Sequence, residues 1–129
     1  MITKKERDCI FALKNAGGLS LTRLSRMLSI KPPTAYTLVE RMISKNMVKK
    51  DANGTIVLTG KGEKEYKRIE FNHRVLETLM FNNGGNLKEA CKECRKIDYL
   101  IDNKLARQIY NGLNSPCSCP HGKPIIEAQ

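Results

Sequence analysis

Apolar positions recur at helical spacing along most of this chain, interrupted by one short β-capable stretch. Residues 6–15 predict a first helix with Ile10, Leu13 and Phe11 on its buried face, ended by Gly17-Gly18. Leu21, Leu24 and Leu28 make the inward face of a short second helix, and residues 29–33 read as a turn. Proline suits the first turn of a helix, where its missing N–H costs nothing, so Pro32-Pro33 opens a third helix running to about Lys45. Along it Ala35, Leu38, Val39 and Met42 fall at i, i+3, i+4 and i+7, leaving Thr34, Tyr36, Thr37, Glu40 and Arg41 outward. Runs 47–50 and 55–58 flank Asn53-Gly54, a signal for a tight hairpin. Thr59 is placed to cap a long helix reaching Asn82, with Tyr66, Ile69, His73, Leu76 and Met80 near one face. After a polar, glycine-rich break, two more helices are predicted, from Leu87 to about Ile101 and from Asp102 to Leu113. The second of these has Leu105, Ile109 and Leu113 facing inward. The expected fold is mainly α: a winged helix-turn-helix over residues 1–62, then a three-helix domain over residues 63–129. The last three helices carry more apolar surface than they can bury alone, which predicts a homodimer.

Charge changes the picture of the first half. The chain of 129 residues has a formal net charge of +10, and residues 1–64 hold 13 Lys/Arg against 5 Asp/Glu. Residues 65–129 hold 10 against 8. A basic helix-turn-helix joined to a nearly balanced second half points to double-stranded DNA as a partner. In that reading the third helix, opening at Pro33, enters the major groove with Thr34, Tyr36 and Thr37 at base edges. Lys31, Arg41, Lys49 and Lys50 neutralise phosphates. Two heads on a two-fold axis predict an inverted-repeat operator. The apolar run 9–13 is too short for a signal peptide or a membrane span, so a cytoplasmic protein with no membrane partner is expected. No nucleophile–base constellation suggests an enzyme.

The order of these segments resembles the diphtheria toxin repressor and manganese transport regulator family of metal-dependent transcriptional regulators. Pro33-Thr34 with Val39-Glu40-Arg41-Met42 is similar to that family's recognition helix, and Leu58-Thr59-x2-Gly62 to the end of its wing and the start of its linking helix. His73-Arg74-x2-Glu77 is similar to its metal-binding stretch, and Cys119-Pro-His-Gly-Lys-Pro-Ile125 to the segment after its dimerisation helices. The resemblance implies a homodimeric, DNA-binding transcription regulator, a repressor, in a short form without the SH3-like domain. It also implies metal ligands, of which His73 and Glu77 match two, as a candidate second metal site. Other ligand positions depart from the pattern: Lys5 and Asp8 on the first helix, and Arg95, Asp98 and Tyr99 later. Cys91 falls where the family carries a His or Glu ligand.

Four of the five cysteines lie late in the chain, as Cys91-x2-Cys94 and Cys117-x-Cys119-Pro120-His121. In a reducing compartment such pairs favour metal or redox chemistry over disulfides. Cys91 and Cys94 share a helical face, and Pro116 and Pro120 bound a loop able to fold back onto it. The expected thiolate site is therefore Cys91, Cys94, Cys117 and Cys119, holding an iron–sulfur cluster; the alternatives are Zn²⁺ or Fe²⁺, or thiols without a metal. His121 is either a further ligand or a loop residue bonded to backbone, and Cys9 reads as core. The regulator would respond to iron, the cluster or another thiolate-bound metal. The competing function is a cysteine-ligated iron–sulfur electron-transfer or cluster-handling protein.

Overall fold

A computed structural model describes residues 2–126, and the fold is mainly helical. The described residues form six helices and a two-stranded sheet: α1 (Lys4–Ala16), α2 (Leu21–Met27), α3 (Pro32–Ser44), β1 (Val48–Lys50), β2 (Ile56–Leu58), α4 (Gly60–Asn82), α5 (Leu87–Ile97) and α6 (Asn103–Gly112). The chain divides into two compact units, one up to Tyr66 and one from Lys67 onward, so α4 contributes to both. No helix among the described residues is long and apolar enough to cross a membrane.

The first unit is a winged helix-turn-helix. At the start of α1, Thr3 and Glu6 form a capping box: the Glu6 amide donates to Thr3 Oγ1 at 3.2 Å and the Thr3 amide donates to Glu6 Oε1 at 2.9 Å. Gly17, at φ 73°, closes the helix by donating to the Leu13 carbonyl. Ser20 caps α2. Pro32 and Pro33 open α3, and Ala35, Leu38, Val39 and Met42 are all buried beneath it. The strands pair antiparallel in the register Val48–Leu58, Lys49–Val57 and Lys50–Ile56. The hairpin forms where the Asn53-Gly54 signal puts it, with a loop spanning residues 51–55. Asp51 organises it, its carboxylate accepting the amides of Asn53 at 2.8 Å and Thr55 at 3.0 Å, while Gly54 takes φ 77°. An aspartate that bonds its own downstream backbone builds the turn locally, so the Asn-Gly pair need not. Leu19 and Ile56 exchange backbone hydrogen bonds of 3.0 and 2.8 Å, tying the segment after α1 to the wing. Thr59 Oγ1 accepts from the Gly62 amide at 3.1 Å and caps α4 as its position predicts.

The second unit is built around Phe71, Val75, Ala106, Cys119 and Ile125, with Ile101, Ile109, Tyr110 and Leu113 packed against them. Phe71 and Tyr110 meet edge to face at 5.4 Å. Two expectations are corrected here. Helix α5 stops at Ile97 rather than near Ile101, and α4 side chains bind the carbonyls of the segment that follows it. Arg68 donates to Tyr99 and Ile101 at 3.3 and 3.2 Å, and Asn72 to Asp98 and Ile101 at 3.0 and 2.9 Å. On α6 the fully buried residue is Ala106, while Leu105 is 48% exposed. The helix approaches its neighbours through its small residue, which turns Leu105 outward.

Candidate functional site

The outer face of α3 presents the residues assigned to nucleic acid. Lys31, Pro33, Thr34, Tyr36, Thr37 and Arg41 are all exposed, opposite the buried stripe. The Thr37 hydroxyl donates to the Pro33 carbonyl at 3.1 Å, and Lys50 of the wing lies 5.7 Å from the Tyr36 ring. Lys49 and Lys50 are exposed on β1, with Lys50 4.0 Å from Glu40. Arg41 does more than face solvent: its Nε is 3.5 Å from Glu6 Oε2, and Lys45 Nζ is 3.0 Å from Glu6 Oε1. The carboxylate of Glu6 is fully buried. Burial pushes its pKa up, but the Thr3 amide, the Lys45 hydrogen bond and the charges of Lys45 and Arg41 outweigh that and hold it below the ordinary value. A buried anion thus clamps the C-terminal half of α3 to the start of α1. The sequence offered Glu6 only as a capping residue.

In the second unit, side chains from α4, α5 and the loop after α6 converge on Glu77. His73 and Glu77, one turn apart on α4, lie with Cys91 of α5 such that their donor atoms are all within 4.8 Å of one another. Glu77, Cys119 and His121 form a second such group. His73 Nδ1 is 3.0 Å from Asp98 Oδ2. A carboxylate can only accept, so Nδ1 carries a proton. The ring's Nε2 faces Glu77 Oε2 at 3.3 Å and Cys91 Sγ at 3.6 Å. Asp98, fully buried, therefore orients the His73 ring, as a carboxylate behind a metal-bound histidine does. Its role was not legible in the chain, where 25 residues separate it from His73.

The four cysteines do not form one thiolate set among the described residues. Cys94 is buried with its sulfur 3.5 Å from Met80 Sδ, and belongs to no group of three ligand side chains. Burial, followed by the negative charges of Glu77 and Asp98, pushes its thiol up to about 12. Cys117 is exposed and also outside both groups. Three residues on from Cys91, Cys94 is turned into the packed side of α5, and the loop presents Cys119 inward instead of Cys117. His121, left open by the sequence, bonds a carboxylate rather than backbone: its Nδ1 is 2.7 Å from Glu77 Oε1. Arg95 lies close enough to Cys91 to lower its pKa, against the larger effect of burial, which with Glu77 leaves that thiol raised. Of the other departures, Lys5 donates to the Leu28 carbonyl at 3.3 Å, and Asp8 pairs with Lys4 and Arg7, each at 3.5 Å. Cys9 is core, its thiol pushed up to about 12 by burial and then by Glu6 and Asp8.

These environments set thiol reactivity. Under native conditions near neutral pH, a soluble alkylating reagent should label Cys117 first. Cys9 and Cys94, buried and held as thiols, should react at least about 100-fold more slowly until the chain is unfolded. Mass spectrometry of timed digests checks this; Cys94 labelling as fast as Cys117 contradicts it.

Comparison with known proteins places the chain. An uncharacterized HTH-type transcriptional regulator of Aeropyrum pernix is 27% identical over 104 residues, 81% of this chain. The chain spans 58% of the length of that relative. Among solved structures, a hypothetical protein of Sulfolobus solfataricus superposes with a TM-score of 0.86 at 28% identity, covering 97% of this chain and 99% of its own. IdeR of T. acidophilum shares the fold at a TM-score of 0.73 and 24% identity, covering all of this chain and 62% of its own. Residues 59–127 match the family described as iron dependent repressor, metal binding and dimerisation domain. They take in α4, α5, α6 and the loop that carries Cys119 and His121, and by that match the chain belongs to the iron-dependent repressor family.

Proposed function

We propose that the chain is a homodimeric, metal-responsive transcriptional regulator, a repressor, whose first unit binds an inverted-repeat DNA site. The observation that carries this reading is the convergence of His73, Glu77 and Cys91 within 4.8 Å, inside the stretch that matches a metal-binding domain. The histidine is oriented by Asp98 with its Nε2 toward a buried carboxylate and a sulfur. Deprotonated, that nitrogen, the carboxylate and the sulfur are three donors close enough to share one ion, so the donor set fits a bound metal. Mixed N, O and S donors suit a single Zn²⁺ or Fe²⁺ ion. An iron–sulfur cluster asks for a thiolate set that the placements of Cys94 and Cys117 do not favour.

DNA binding is supported by the exposed, basic face of α3 and the wing, set opposite a fully packed core stripe. Dimerisation is supported by Ile97, Leu100 and Leu105, which are 37%, 49% and 48% exposed in the second unit. The test is a gel shift of the full chain on its operator, with chelator and with Zn²⁺ or Fe²⁺ restored. Affinity should change with metal and fall steeply with salt, by about 0.9 in log K per phosphate neutralised for each unit of log salt. Lys49→Ala should weaken all sequences alike and reduce that slope by about one. Thr34→Ala should instead relax preference for the operator by about 1–3 kcal/mol per lost base contact. Identical effects of both variants on specific and non-specific DNA would contradict the recognition-helix assignment.

A further inference from the structure

We propose that Glu40 is a specificity-determining residue of the DNA-binding face, accepting a hydrogen bond from the exocyclic amine of a cytosine in the major groove. The proposal rests on the recognition-helix reading above and deepens it.

A carboxylate is out of place on a surface that meets phosphates, yet Glu40 stands at the middle of that surface. The buried stripe of α3 is Ala35, Leu38, Val39 and Met42. Steps of three and four residues put Pro33, Thr37, Glu40 and Ser44 in one row along the opposite side, and all four are exposed. Arg41 stands beside that row, with its Nε 3.5 Å from Glu6 Oε2. The polar members of the row share one hydrogen-bonding character. The Thr37 hydroxyl donates to the Pro33 carbonyl at 3.1 Å, and the Ser44 hydroxyl donates to the Arg41 carbonyl at 2.6 Å. Each hydroxyl proton is thereby committed to the helix's own backbone, which leaves the oxygen as an acceptor. The Glu40 carboxylate accepts only. Thr37, Glu40 and Ser44 therefore offer a line of acceptors and no donor.

Glu40 is also held without being used up. Lys50 of the wing has its Nζ 4.0 Å from Glu40 Oε1 and 5.7 Å from the centre of the Tyr36 ring, one turn earlier on α3. Attraction at that distance restrains the carboxylate, but the separation is longer than a hydrogen bond, so its lone pairs stay available. The Glu40 and Lys50 side chains are 47% and 43% exposed. Beside phosphates such a charge is repelled, and only a donor on the DNA offsets that cost.

The base edges decide which donor it is. In the major groove guanine shows two acceptors, and thymine shows an acceptor and a methyl group. Adenine sets its N6 amine beside the N7 acceptor, whose lone pair faces an incoming carboxylate. Cytosine presents its N4 amine with no acceptor of its own on that edge. A C·G pair is the one that suits Glu40.

The experiment selects bound sites from random duplex DNA with the full chain, with Zn²⁺ or chelator present, and repeats the selection with Glu40→Ala, Glu40→Gln and Thr34→Ala. Circular dichroism confirms that each variant is folded. Wild type should prefer a C·G pair at one position of each half-site by about 5- to 150-fold, the range of a single base contact. Glu40→Ala should level that position, leave the others unchanged and bind non-operator DNA more tightly. Glu40→Gln should move the preference there to A·T, because an amide matches the donor and acceptor of adenine. If Glu40→Ala tightens operator and random DNA alike with every preference intact, Glu40 only repels phosphate and the proposal is overturned. Relaxation at an A·T pair alone overturns it as well. A wild type that selects no sequence sinks the recognition-helix reading and this proposal together. A selection in which Thr34→Ala relaxes a position and Glu40→Ala relaxes none leaves that reading standing and removes Glu40 from it.

Discussion

Gly62→Ala should cost the fold about 3 kcal/mol, while Gly60→Ala, two residues earlier in the same helix, should be neutral or slightly stabilising. A β-carbon built on Gly62 meets the Met47 carbonyl oxygen at 2.2 Å and its carbon at 3.2 Å, whereas one on Gly60 meets nothing within 4 Å. The obstacle at Gly62 is backbone, which cannot rotate away as a side-chain tip can. Moving it would break the contact between the entry to β1 and the start of α4, where the Thr59 amide also donates to the Met47 carbonyl at 3.0 Å. Overpacking against a fixed group typically costs about 1–3 kcal/mol, and so short a contact puts this site at the upper end. At Gly60 the substitution gains helix propensity, up to about 1 kcal/mol. Denaturant melts of the two variants check the contrast. Equal stabilities would mean that the wing and α4 do not approach as described.

Glu6→Ala should destabilise the DNA-binding unit by about 2–3 kcal/mol. It removes half of a capping box, worth about 1 kcal/mol, and a buried carboxylate that accepts a charged hydrogen bond from Lys45, worth about 1.5–3 kcal/mol. The partial exposure of Lys45 and Arg41 trims the second contribution. The effect should depend on pH in a defined direction. The carboxyl's folded pKa is lowered from the ordinary 4.5, so the unfolded chain takes up the proton more readily. Its contribution is then fully present above the unfolded value and is lost as pH falls through the lower folded one. Wild type and Glu6→Ala should therefore converge in stability in acid and differ most near neutral pH. A constant difference across that range would show that Glu6 acts through packing rather than charge. Because Arg41 lies on the C-terminal half of α3 and Lys45 caps its end, the variant should also weaken operator binding.

Local pattern carried most of the secondary structure because its causes are local. Proline at the start of α3, the 3.6-residue stripe of Ala35, Leu38, Val39 and Met42, and the threonine before α4 act within a turn or two of chain. The same holds for the basic outer face of α3 and the wing, since charge and outward position follow from residue type and phase. The candidate metal site was only half legible. His73 and Glu77, at i and i+4, declare a shared face, and Cys91 stands out as a soft donor on the next helix. Nothing in the chain states which cysteine of each close pair turns toward Glu77. That choice belongs to packing: Cys94 is drawn into the core beside Met80, and Cys119 is pinned beside Phe71 and Ile125 while Cys117 faces solvent. Likewise Arg68 and Asn72 hold the segment that follows α5 through its carbonyls, and α6 turns inward on Ala106 because a small residue allows the closer approach. Helix phase, capping and charge are properties of neighbouring residues and are written in the sequence. The pairing of Glu77 with two histidines 48 residues apart, and of Asp98 with His73, exists only once long-range burial has excluded water and fixed each rotamer.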